Sequence, residues 1–151
     1  MRPEGRYDAD GCRRVAMAVP VIRGDDGHLR FVLTGAQDGL EWIFPKGGWE
    51  LHETVEQAAL REAYEECGVV GTVRCALGGE FRSGPSRSGR VTRVQAFLVD
   101  VDNLLDDWPE RNVRARRLCT EADVRDALKR TSMLNLVDKA LGVISSCDKT
   151  E

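Results

Sequence analysis

One segment of this 151-residue chain constrains its fold more than any other: Gly47 to Val69, GGWELHETVEQAALREAYEECGV. Both ends of a helix are written into it. Thr54-Val55-Glu56-Gln57 is a capping box, with a hydroxyl for the first-turn N–H groups and a Gln that reaches back to the cap. Ala58, Ala59, Leu60 and Ala63 are good helix formers. Gly68 stands where a left-handed C-terminal cap belongs. The pattern predicts a helix over Val55 to Cys67, with Val55, Ala59, Ala63 and Cys67 as a stripe facing inward.

Beside that stripe stand Glu62, Glu65 and Glu66. Glu62 and Glu66 are four apart and point the same way, at a cost of roughly 0.2–0.5 kcal/mol in an isolated helix. The plainer reading is a solvated acidic face. Against it, these residues border the apolar stripe, and Glu53 lies at the helix start after a Gly47-Gly48 pair that allows close approach. Four converging carboxylates would be relieved by a divalent cation, and hard oxygen donors suit Mg²⁺, with Mn²⁺ as the alternative. Mg²⁺ usually binds through one or two carboxylates plus substrate phosphates. That directs attention to phosphate chemistry: a polarised phosphoryl oxygen, an acidified water, and a spare carboxylate to take its proton. For Arg61 the plainer reading is pairing with the Glu residues.

From Gly47 the order is Gly, five residues, Glu53, seven residues, Arg61-Glu62, Ala63, Tyr64, Glu65-Glu66, Cys67, Gly68, Val69. A chance match to seven spaced identities is on the order of one in 10^8 per starting position. The segment resembles the signature of the Nudix hydrolases, GX5EX7REUXEEXGU with U apolar, and fills every fixed position. The resemblance implies an α/β fold in which a mixed β-sheet is sandwiched between helices (α/β/α). It implies hydrolysis of a diphosphate linkage attached to some other moiety. It also implies that Arg61 holds the carboxylates in place. On the spacing and the resemblance together, Glu62 and Glu66 are the expected metal ligands, with the Gly47 carbonyl and Glu53 nearby. Glu65 is the expected general base, and Glu53 is the alternative, because family members differ in this role.

The flanks resemble the diphosphoinositol polyphosphate phosphohydrolase branch of that family, which also cleaves diadenosine polyphosphates. Tyr7 to Gly11 followed by Arg13-Arg14 resembles its opening segment. Trp42 to Gly48 (WIFPKGG) resembles its plant and fungal members, as does Trp108-Pro109-Glu110 followed by Arg114, Arg116 and Arg117. Cys12 departs from an aromatic frequent in the branch, and Val15 from a basic residue of some members. A highly phosphorylated substrate needs several Arg or Lys residues converging on it, and Arg can bind phosphate through two parallel N–H···O bonds. Candidates are Arg13, Arg14, Lys46, Arg82, Arg87, Arg90, Arg93 and Arg130. Of these, Arg13, Arg14, Lys46, Arg90, Arg93 and Arg130 are the expected substrate rim. A solvated surface charge is the plainer reading of any single one. The clustering of Arg82, Arg87, Arg90 and Arg93 around a glycine-rich loop argues against it. Rival substrates are ADP-ribose, nucleoside diphosphate sugars and capped RNA. A nucleobase needs a stacking surface, and aromatics are sparse: Trp42 is expected in the core and Trp49 in the cleft. A non-catalytic binding module would be marked by a damaged Arg-Glu-x-x-Glu-Glu unit, which here is whole.

Length suits one domain over residues 1–151. A formal net charge of −3 disfavours a nucleic-acid binder. Five cysteines without a CxxC pair point away from a disulfide framework or zinc site and towards a reducing compartment. That is the cytoplasm, with the nucleus as a second location. No apolar run approaches a membrane span, and the polar, acidic start is unlike a signal peptide. The Walker, GxSxG and HExxH signatures are missing. The expectation is a monomer acting on a phosphorylated small molecule, with neither nucleic acid nor membrane as partner. Strands are expected over Val15 to Ile22, with Pro20 signalling a bulge or an edge. Others are expected over Leu29 to Thr34, Trp42 to Phe44, Val69 to Leu77 and Val91 to Val101. Arg82 to Gly89 reads as a flexible loop. Thr120 caps the first of the C-terminal helices.

Overall fold

The computed structural model describes residues 12–36, 39–78, 81–83 and 91–148, with the backbone alone at 81–83 and at 148. Among the described residues, eight strands and three helices follow in the order β1 (Arg13–Arg23), β2 (Leu29–Gly35), β3 (Trp42–Ile43), β4 (Lys46–Gly48), α1 (Val55–Cys67), β5 (Val69–Ala76), β6 (Phe81–Ser83), β7 (Thr92–Leu104), β8 (Arg116–Cys119), α2 (Glu121–Ala127) and α3 (Thr131–Asp148). The strands form one mixed sheet with the path β3-β2-β1-β7-β5; β4 adds to β1, β6 to β7 and β8 to β2. β1 and β7 run parallel from Arg13 opposite Thr92 to Val21 opposite Asp100, and the other pairings are antiparallel.

Side chains alternate across a strand, and β1 divides the core accordingly. Val15, Met17, Val19 and Val21 join Val124 and Leu128 from the α2 end with Met133, Leu136 and Val137 of α3. Ala16 and Ala18 face the other way, onto Ala58, Ala59, Ala63 and Cys67 of α1. The small residues on that face let α1 lie close to the sheet. This is the sandwich expected from the sequence. Among the described residues no helix is long and apolar enough to cross a membrane.

β1 changes its antiparallel partner along its length. Residues 15–17 pair with β4, whereas residues 21–23 pair with β2. This corrects the expectation for Pro20, which sits in a central strand rather than at an edge or a bulge. The amide of Ala18 points to the β4 side, where it donates to the Pro45 carbonyl at 3.0 Å. Two residues on, the N of Pro20 faces that side too, in the interval between the two pairings, so its missing N–H leaves no ladder bond unmade. Lys46–Gly48 is a sheet strand, Arg82 belongs to β6 instead of a loop, and Arg116–Cys119 is an additional strand. Residues 1–11, with Tyr7 to Gly11, and residues 84–90, with Arg87 and Arg90, lie outside the described residues.

Candidate active site

α1 is fixed at both ends. Thr54 Oγ1 accepts from the Gln57 amide at 3.1 Å, and Gln57 Oε1 accepts from the Thr54 amide at 2.8 Å. Gly68 adopts φ 66°, and a side chain there would also meet the Trp108 ring at 2.8 Å. The last turn is held from outside as well. Arg116, its guanidinium 4.4 Å over the Trp108 ring, donates to the carbonyls of Cys67 at 3.0 Å and Leu105 at 2.7 Å. The Glu110 amide donates to the Glu65 carbonyl at 3.0 Å. Buried Thr34 donates its hydroxyl to the Glu66 carbonyl at 3.3 Å.

Arg61 organises the carboxylates. Its Nη2 donates to Glu53 at 2.7 Å and to the Gly48 carbonyl at 2.9 Å, while its Nη1 reaches Glu62 at 2.9 Å and Glu65 at 3.3 Å. The Glu53 hydrogen bonds, opposed by partial burial and helped by the Glu62 charge, raise an already high guanidinium pKa, so Arg61 is a permanent cation. Glu53 also accepts from the Glu50 amide at 2.9 Å. Glu65 is the most exposed of the four carboxylates and has the longest contacts with Arg61.

Glu66 is different: its residue is 2% exposed. Oε2 accepts from the Lys46 amide at 3.3 Å, and Arg114 Nη1 lies 3.9 Å from Oε1, which is buried and has no hydrogen-bond partner among the described residues. Burial, opposed by Arg114 and reinforced by Glu62 and Glu110, pushes its carboxyl up to about 8. Burial raises Glu62 too, against the pull of Arg61. Gly47 packs flat against Glu62, since a Cβ on it would lie 2.2 Å from the Glu62 carboxyl carbon. These observations fit a hard cation: two desolvated carboxylates, one with an unsatisfied buried oxygen, beside a strand backbone that brings a carbonyl close. Among the described residues no three Asp, Glu, His or Cys side chains surround a common point. Two carboxylates can hold a divalent cation when substrate phosphates and water complete its shell.

Where β1 parts from β2, a cavity of about 390 Å³ opens beside Gly47 and Glu66. Arg13, Lys46 and Arg130 line it together, as does Arg114, which the sequence did not single out as a site residue. Burial lowers the Lys46 pKa, and the positive charges of Arg130, Arg13 and Arg114 lower it further against the pull of Glu66. Arg14, one residue along the strand from Arg13, faces the opposite side of the sheet and stacks 3.6 Å over Trp49. Arg93 is its register partner on β7 and shares that face. Trp49 donates its indole N–H to the Glu53 carbonyl at 2.7 Å. Glu41, also unforeseen, lines the cavity and pairs with Arg130.

Comparison with known proteins accords with this geometry. The family model described as NUDIX domain matches residues 13–139. Nudix hydrolase 4 of Arabidopsis thaliana is 31% identical over 153 residues, covering 97% of this chain and 73% of that protein. Diphosphoinositol polyphosphate phosphohydrolase 3-alpha of Mus musculus is 32% identical over 123 residues, covering 82% of this chain and 71% of that protein. The solved Ap4A hydrolase of C. elegans superposes with a TM-score of 0.68 at 22% identity, over 87% of this chain and 97% of its own. The chain belongs to the Nudix hydrolases, which split pyrophosphate linkages and generally use divalent metal ions.

Proposed function

We propose that this protein is a Mg²⁺-dependent pyrophosphohydrolase of diphosphoinositol polyphosphates, diadenosine polyphosphates, or both. The observation that carries this reading is the cavity in which Arg13, Lys46, Arg114 and Arg130 gather beside Glu66. Four basic side chains around one small space, against the two carboxylates Glu41 and Glu66, suit a substrate with several phosphates better than one with two. The murine relative and the nematode structural neighbour, named above for such substrates, support the same choice. On the α1 side of the sheet, Arg14 covers one face of Trp49, which leaves less indole surface for a nucleobase.

Glu62 and Glu66 would hold the metal, with the carbonyl of Lys46, whose amide faces Glu66, replacing the expected Gly47 carbonyl, which the strand register turns towards Ala16 of β1. Bound there, the metal supplies Lewis-acid polarisation of a phosphoryl oxygen and an acidified water. Arg61 keeps Glu53, Glu62 and Glu65 apart and oriented. Glu65 is the better candidate to take the proton of the attacking water, because Glu53 is engaged by Arg61 and by the Glu50 amide. Arg13, Lys46 and Arg130 bind the phosphates that do not react, assisted by Arg114. Purified protein with Mg²⁺ is offered diphosphoinositol polyphosphates, diadenosine polyphosphates and ADP-ribose side by side. The highest kcat/KM is expected on one of the first two. A clear preference for ADP-ribose rejects the polyphosphate reading.

A further inference from the structure

We propose that Glu41 is a built-in competitor of phosphate for Arg130, which limits how tightly the cleft retains highly phosphorylated ligands, products included. The inference rests on reading the cavity as a polyphosphate site. Glu41 immediately precedes β3, and its carbonyl is tied to the Ala36 amide at 2.8 Å. Arg130 immediately precedes α3, and its carbonyl accepts from the amides of Met133 and Leu134, both at 3.1 Å. Trp42, next to Glu41, bridges to Leu128, two residues before Arg130. Both backbones are thus held, and the side chains meet side-on across the cavity. Nη2 reaches Oε1 at 2.5 Å and Nε reaches Oε2 at 3.3 Å. This is the fork geometry with which a guanidinium binds a phosphate.

The pair sits towards solvent, with the Arg130 side chain 41% exposed and that of Glu41 22% exposed. An anion held by Lys46 and Arg13 alone leaves the pair intact. A longer polyanion reaches Arg130 and must displace the carboxylate, which then repels it. Hydrolysis of a multiply phosphorylated substrate leaves a product that is still highly charged, and product release limits many enzymes. An acid that takes back Arg130 favours release without touching the metal site.

Inorganic tripolyphosphate and pyrophosphate, titrated calorimetrically without metal into wild type, Glu41→Gln, Arg130→Gln and the double variant, test this. Tripolyphosphate is expected to bind Glu41→Gln about tenfold more tightly than wild type, with a smaller gain for pyrophosphate. The tripolyphosphate gain is expected to vanish in the Arg130→Gln background. Unchanged or weaker binding by Glu41→Gln overturns the proposal, since Glu41 would then only hold Arg130 in place. An undiminished gain in the double variant overturns it as well. These probes do not depend on the natural substrate, so failure of the substrate panel and failure of this inference are separate results.

Discussion

Gly47→Ala is the sharpest test of the carboxylate site, because the nearest atoms to the added methyl group are those of the Glu62 carboxylate. The new Cβ would lie 2.2 Å from the carboxyl carbon and Oε1, and 2.6 Å from Oε2. Ordinary contact needs roughly 3.5 Å, so the carboxylate must retreat by about 1 Å or more. It ends a flexible side chain, and an off-rotamer shift costs about 0.5–1.5 kcal/mol. The backbone is in an ordinary strand conformation, since the positive-φ glycines do not include Gly47. Removing a glycine from such a site returns about 0.4–1 kcal/mol through the unfolded chain. Net stability should therefore change by less than about 1 kcal/mol. The retreat also strains the 2.9 Å bond from Arg61 to Glu62. A ligand displaced by about 1 Å costs catalysis on the order of 10²-fold. Initial rates across a Mg²⁺ titration, read beside thermal unfolding curves, check both halves of this expectation. A folded Gly47→Ala protein with undiminished turnover and metal affinity would refute the placement of the metal at Glu62 and Glu66.

Glu65→Gln should lower turnover by about 10²–10⁴-fold with little change in metal affinity; if Glu53→Gln gives that pattern instead, their roles exchange. The unfolded Glu66 carboxyl titrates near 4.5 and the folded one at about 8, so in that window the metal-free folded state binds more protons. Stability is then fully present below the lower value and lost as pH rises through the upper one. The metal-free melting temperature should fall across this window, Glu66→Gln should flatten the fall, and Mg²⁺ should stabilise more at pH 8 than at pH 5. Arg116→Ala deprives the carbonyls of Cys67 and Leu105 of a charged donor. A loss of about 1–3 kcal/mol is expected, and urea unfolding would measure it.

What the sequence revealed is what local chemistry decides. The bounds of α1 were readable because Thr54, Gln57 and Gly68 satisfy its ends within a few residues. The carboxylate cluster was readable for the same reason, since helical spacing sets Glu62 against Glu66 and brings Arg61 to Glu65. Three strands escaped, two because their partners are remote and one because it is short. Lys46–Gly48 has the composition of a turn and becomes a strand only by pairing with β1. β8 is half arginine and is defined by its register with β2. β6 is three residues long and is read only through its pairing with β7. The split of Arg13 from Arg14 follows from strand alternation, but the expected strand began at Val15, so the two were grouped together. Glu41 and Arg130 are 89 residues apart, and nothing local in either signals the other. Arg114 reaches Glu66 only because Glu110, at 2.7 Å, and the Gly35 carbonyl, at 3.0 Å, hold its guanidinium in the cleft.

The pairing of Lys46–Gly48 with the central strand reaches beyond geometry. A metal-binding backbone carried on a surface loop can fray while the rest of the protein stays native, and activity then fades before the fold does. Here the peptide of Gly47 is laced to Ala16 in β1, the strand shared by both halves of the core. Local opening at this point breaks pairing with the central strand of the sheet, a costlier event than the fraying of a surface loop. The Gly47 amide, the one in β4 that faces β1, should accordingly exchange with solvent more slowly than an amide of a surface loop. Denaturant should extinguish the metal site and the tertiary structure in a single transition.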